Sequence, residues 1–117
     1  MQRRTDARLY QMQADIAKIL ANPIRLQILN RIGVGEVSYG TLLGELKISK
    51  TNLSQHLAIL RTGGVVSVRR EGVHVHFRLT FPEIKAICAK MRDILAKHLA
   101  ESGRQGKLLM RRAGRAR

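Results

Sequence analysis

Between Ser49 and Thr80 the spacing of apolar residues changes from three-and-four to two, and the change follows a double glycine. Leu53, Leu57 and Leu60 stand at i, i+4 and i+7, the one-sided stripe of a helix packed on a core. Val73, Val75, Phe77 and Leu79 then alternate with His74, His76, Arg78 and Thr80, the period of a half-buried strand. Ser49 suits an N-cap, and Gly63 suits the left-handed position just past the helix end. Val66 and Val68 supply a partner strand, with Glu71-Gly72 as the tight-turn signal between the two. A capped amphipathic helix running straight into a short hairpin leaves few arrangements open.

The flanking segments are helical. Leu9, Met12, Ile16, Ile19 and Leu20 predict a first helix, which Asn22-Pro23 breaks and restarts, since Asn caps and Pro fits a first turn. Ile24, Ile28, Leu29 and Ile32 predict a second, stopped at "GVGE". "SYGTLLGELKI" predicts a short third helix with Leu42, Leu43 and Leu46 inward. Thr80-x-x-Glu83 has the form of a capping box and opens a last helix carrying Ile84, Ile87, Cys88, Met91, Ile94, Leu95 and Leu99. That near-heptad seam is suited to a partner helix. The predicted architecture is mainly α with a β-hairpin wing, a winged helix-turn-helix. Residues 1–8 read as a basic N-terminal arm, 9–103 as the DNA-binding and dimerisation domain, and 104–117 as a basic, mobile tail.

Charge points to the partner. The 117 residues carry 22 Lys+Arg against 8 Asp+Glu, a formal +14. Between 9 and 103 the balance is still +6, so the excess is not confined to the ends. A polyanion, nucleic acid or an anionic membrane, is the partner such a balance implies. No apolar run approaches the roughly 20 residues of a membrane span, and the first residues lack the apolar core of a secretory signal. The expectation is a cytoplasmic protein. Aromatic residues make up only 3% of the chain, and small domains with thin cores gain burial by pairing.

The predicted helix after Ser49 has two faces. Thr51, Gln55, Ala58 and Thr62 point away from the leucines, and Lys50, Asn52, Ser54 and Arg61 flank them without a single acid. Asn52 and Gln55 suit adenine edges, and Lys50 suits guanine or phosphate. Thr51, Ser54 and Arg61 suit phosphate or sugar. His56 borders the apolar stripe, where a structural role and a DNA contact both fit. Arg69 and Arg70 lie beside the predicted turn and suit phosphate or minor-groove contact. His74 shares a polar strand face with His76, turned to DNA or solvent; two histidines are too few for a metal cage. Leu9, Met12, Ile16, Ile84, Ile87, Cys88, Met91, Ile94 and Leu95 are the expected dimer interface.

"AKILANPIRLQILNRI" followed by "ISKTNLSQHLAILRTGGVVSVRREGVHVHFRL" resembles the ArsR/SmtB family of bacterial winged-helix repressors, over about residues 16–101. Its most specific part is Leu53-Ser54-x-His56-Leu57-x-x-Leu60, followed by the glycines and the Arg-x-Gly wing. The resemblance implies a bacterial, nucleoid-associated homodimer, dimerising through its first and last helices, that represses transcription from an imperfect palindrome and releases it when an inducer arrives. Many members sense metals, but the residues for that do not carry over. The family's Cys-x-Cys falls on Ser38 and Gly40, and of its last-helix site only His98-x-x-Glu101 remains, with Lys85 and Ile87 at the other two positions. No metal and no cofactor are therefore expected, and the inducer, a small molecule or a redox agent acting at Cys88, stays open. An alternative is a non-specific architectural protein held on nucleic acid by its basic ends. No enzyme is expected, since Cys88 and the four histidines fall on separate elements, with no carboxylate pair or phosphate-binding glycine loop.

Overall fold

The computed structural model describes residues 2–102. The elements run α1 Gln2–Leu20, α2 Pro23–Ile32, β1 Val37–Ser38, α3 Tyr39–Leu46, α4 Lys50–Thr62, β2 Val66–Glu71, β3 His74–Leu79 and α5 Glu83–Ser102. They form two units, one ending at Pro82 and one beginning at Glu83. The first is a helical layer on a three-stranded antiparallel sheet of order β1-β3-β2. Helix-turn-helix and wing are both present.

The core is aliphatic, as the scarcity of aromatics requires. Ile28, Leu29 and Ile32 of α2, Leu42 of α3 and Leu53, Leu57 and Leu60 of α4 are buried together with Val65, Val66, Phe77 and Leu79. Each such side chain contributes about 1.5–3 kcal/mol of burial free energy. Caps fix where the helices start. Asn22 Oδ1 accepts the N–H groups of Ile24 and Arg25 at 2.9 and 3.1 Å, and Ser49 Oγ accepts that of Asn52 at 3.1 Å.

Three local expectations are corrected. The left-handed residue after α4 is Gly64 (φ 78°), whereas Gly63 keeps helical angles of −75° and −3°. Val65 N–H then reaches Leu60 O at 2.9 Å and Gly64 N–H reaches Arg61 O at 3.0 Å, the paired bonds of a Schellman motif. At Gly63 the missing Cβ lets the end of the Ile19 side chain approach closely, since a Cβ there would push Ile19 Cδ1 aside. The hairpin turn is Gly72-Val73 rather than Glu71-Gly72, since Glu71 pairs with His74. Gly72 alone has positive φ (60°), which makes this a type II′ turn and leaves Val73 at the tip, 93% exposed. Thr80 does not start α5. Its hydroxyl lies 2.8 Å from that of Ser67, and α5 begins at Glu83.

Strand β1 was not expected. It pairs Val37 with Phe77 and Ser38 with His76, which makes β3 the central strand and buries Phe77. Helix α1 reaches back to Gln2, through the residues expected as a basic arm, and the tail expected from 104 onward lies outside the described residues. Leu9 and Met12 are more than half exposed, while Ile16, Ile19 and Leu20 nearer the end of α1 are partly buried. Described by itself, α5 leaves Ile87, Met91, Ile94 and Leu95 exposed, with Ile84 and Cys88 half-buried.

Gly64→Ala is expected to destabilise the domain by about 1–3 kcal/mol through backbone strain, and Gly63→Ala by less, because the end of the Ile19 side chain can turn aside. Gly44→Ala, inside α3 with open space around its Cβ position, is expected to stabilise it by about 0.5–1 kcal/mol. Urea denaturation of the three variants checks both signs.

Candidate nucleic-acid interface

The surface is built on α4. With its leucines inward, the helix exposes Lys50, Thr51, Asn52, Ser54, Gln55 and Arg61. No carboxylate lies on it, so its polar groups are hydroxyls, amides and cations, beside the exposed Ala58 and Ile59. Tyr39, the first residue of α3, fixes the near end. Its hydroxyl donates to Lys50 O at 3.2 Å and lies 3.0 Å from Ser54 Oγ. Since a phenol has one proton, the Ser54 hydroxyl completes the pair by donating to Tyr39.

His56 lies on the side of α4 that meets α2. It is partly buried, and its Nδ1 lies 3.4 Å from Arg25 Nη1. Burial, and then the nearby Arg25 charge, hold the imidazole below the ordinary histidine value. A neutral ring accepting at Nδ1 keeps its proton on Nε2.

The wing divides its charges between two faces. Alternation puts Arg70 on the same side as Val68, Val75 and Phe77, and Arg69 on the opposite side with Glu71, His74 and His76. Arg70, Arg61, Tyr39 and Ser54 line a groove between α4 and the sheet. Arg69 is engaged elsewhere: its Nε donates to both Glu36 oxygens at 3.0 and 3.1 Å and its Nη1 to Glu71 at 2.9 Å. The Glu71 bond and then the Glu36 bond raise the Arg69 value, while the Arg69 bond holds the Glu71 carboxyl below its usual range. The structure therefore brings Ser54, Arg61 and Arg70 to one groove and leaves Lys50, Thr51, Asn52 and Gln55 exposed on α4. It sets Arg69 and His74 on the far side of the wing and His56 on the inner flank of α4.

Tyr39, Glu36 and Arg25 were missed from sequence. For Glu36 one signal existed: with 8 acids among 22 bases, each acid has several basic residues to pair with. For Tyr39 and for the contact of Arg25 with His56 there was none, because these partners lie 11 and 31 positions away.

The geometry agrees with what this chain is similar to. Residues 20–69 match the model of a helix-turn-helix domain. The transcriptional activator HlyU of Vibrio cholerae is 43% identical over 72 residues, 62% of this chain and 67% of the relative. Its reduced structure superposes with a TM-score of 0.69 over 77% of this chain and 95% of its own, at 34% identity. A homodimeric winged helix-turn-helix domain from Mycobacterium bovis, described as a possible ArsR-family regulator, gives a TM-score of 0.70 at 31% identity, covering 80% of this chain and 87% of that one. The chain belongs to the ArsR family. The transcriptional repressor BigR from Xylella fastidiosa is similar as well, with a TM-score of 0.69 at 30% identity, over 80% of this chain and 96% of that one.

As an ArsR-family domain, the protein is a DNA-binding transcriptional regulator. The metal sites that the resemblance brings to mind do not fit its residues. Ser38, at a cysteine position, instead caps α3, its hydroxyl accepting Thr41 N–H at 3.1 Å. Among the described residues no three of His, Cys, Asp and Glu are grouped to hold a metal ion, and no described helix is long and apolar enough to cross a membrane.

Tyr39→Phe removes the phenol from both partners while keeping the ring. A loss of about 1 kcal/mol is expected in urea denaturation, because Ser54 and the Lys50 carbonyl remain accessible to water.

Proposed function

We propose that this ArsR-family protein is a sequence-specific repressor that binds a pseudo-palindromic operator as a homodimer and is released by an inducer. One observation carries the reading: α4 offers Lys50, Thr51, Asn52 and Gln55 on an acid-free outer face while three buried leucines hold it to the core. A helix seated this way enters a major groove with its first turns toward base edges. Asn52 and Gln55 discriminate bases, and Lys50, Arg61 and Arg70 bind phosphate, with Thr51 and Ser54 adding hydroxyls. His56 acts from behind the helix. Arg69 and His74 contribute field rather than contact, Arg69 being already paired with Glu36 and Glu71.

Pairing is supported by exposed apolar side chains that a single copy leaves in water: Leu9 and Met12 on α1, and Ile87, Met91, Ile94 and Leu95 on α5. Ile16, Ile84 and Cys88 complete the proposed interface. Two copies would present their α4 helices to successive major grooves about 34 Å apart. An operator occupied this way excludes other proteins from that DNA. An inducer acts by favouring a dimer whose spacing no longer fits the two half-sites. Such a protein works where the chromosome is, in the cytoplasm.

Selection of the full-length chain on random duplexes tests the reading. It should enrich a pseudo-palindrome with half-sites about one helical turn apart. Arg70→Ala is expected to lower the salt slope of operator binding by about one, and Arg69→Ala by less, because two carboxylates already balance that charge. Equal binding of all duplexes at moderate salt would favour the non-specific architectural protein instead.

A further inference from the structure

Helix α1 ends at Leu20, and within three residues α2 has begun, so Arg25 lies in the first turn of α2 directly beside the α1 terminus. Its Nε donates to Ile19 O at 2.5 Å, one of the last carbonyls of α1. The other arm of the same guanidinium meets His56 on α4 at 3.4 Å. The Arg25 backbone is itself held, its N–H donating to Asn22 Oδ1. One planar cation thus joins the end of α1 to the middle of α4. A second contact runs parallel to it: the Ile19 side chain lies against Gly63, where a Cβ would collide with it, and lines a shallow apolar patch with Ile59 and Thr62.

We propose that Arg25 is a positioning residue that couples the end of α1 to the orientation of α4, through the Ile19 carbonyl and the imidazole of His56. The proposal rests on the reading of α4 as the DNA-contacting helix. If α1 pairs with a second copy, a change in dimer geometry is transmitted through Ile19 and Arg25 to His56, and so to the side chains at Asn52 and Gln55 one turn away or less. The bridge works only with a neutral ring. A guanidinium stays protonated, so Nδ1 must keep its lone pair to accept from it, and protonation there sets two cations face to face. The groups around His56 offer no relief: α1 brings the Ile19 carbonyl, which Arg25 holds, the α4 neighbours Asn52 and Ile59 are uncharged, and among the described residues Arg25 is the charged group acting on its titration.

The sign follows. With the folded value lowered, the unfolded chain binds the proton more readily between that value and the ordinary 6.5. Acidification through this window therefore works against the bridged arrangement. Above it the bridge is intact.

The test measures operator and scrambled-duplex affinity of the full-length protein between about pH 5.5 and 8, alongside the ¹⁵N titration of the His56 ring without DNA. The preference for operator should fall about three- to tenfold on acidification, the size of one lost ordinary hydrogen bond. In His56→Asn, whose Oδ1 stands near the place of Nδ1 and takes no proton, that pH dependence should vanish. Arg25→Lys keeps the charge but not the fork, and should lower the preference at pH 8 with scrambled-duplex affinity unchanged. In Arg25→Gln the His56 midpoint should rise toward the ordinary value. An unchanged midpoint in Arg25→Gln, an unchanged preference in Arg25→Lys, or the same pH profile in wild type and His56→Asn would each overturn the proposal. Absence of any operator preference in the wild type, with the midpoint still shifting in Arg25→Gln, would instead sink the repressor reading and with it the coupling to DNA, leaving only the bridge.

Discussion

The burial of Leu53, Leu57 and Leu60 is the interaction on which the rest depends. These three side chains are at most 4% exposed, and their one-sided spacing decides which residues of α4 are left for solvent or a partner. A rotation of the helix by one position would put Ser54, Ala58 and Arg61, or Asn52, His56 and Ile59, toward the core and the leucines toward water, at a cost of several kcal/mol. The end of the helix is fixed with equal economy. Gly64 supplies the left-handed turn that sends the chain into β2, and Gly63 leaves room for Ile19 of α1. The wing thus starts from a position set by the same residues that seat the helix.

Electrostatics refines that frame rather than creating it. In a chain with this excess of bases, the acids pin particular cations. Glu36 and Glu71 hold Arg69, and Glu45 lies 3.5 Å from Arg31. All these pairs are solvent-exposed and contribute little stability. Their effect is on distribution: Arg69 is tied to the outer side of the wing, while Arg61 and Arg70 remain beside α4. Arg25 belongs to a different class, because it satisfies a helix-end carbonyl and an imidazole at once.

What was legible in the sequence follows from the range of the interaction. Helix positions, the Asn22 and Ser49 caps and the wing strands rest on contacts within about one turn or one hairpin, and periodicity reports those. The outward side chains of α4 followed from the leucine stripe alone. Strand β1 was invisible because two residues carry no period, and it exists only by pairing with β3, far along the chain. The turn was misplaced by one residue because Glu71-Gly72 and Gly72-Val73 both put a glycine where positive φ is useful; only the pairing of Glu71 with His74 separates them. Thr80 has the form of a cap, but Ser67 competes for its hydroxyl from the neighbouring strand. The pairing of Arg69 with Glu36, and of Arg25 with His56, likewise needed the fold.

The central claim is that base discrimination resides in the outward side chains of α4. The direct measurement is binding of the wild type, Asn52→Ala and Gln55→Ala to the selected operator and to each of its single base-pair substitutions. Each variant should become indifferent to one base pair, at symmetric places in the two half-sites, losing about 1–3 kcal/mol of discrimination there and keeping it elsewhere. A uniform loss across all positions, or an unchanged discrimination profile in both variants, would contradict the account.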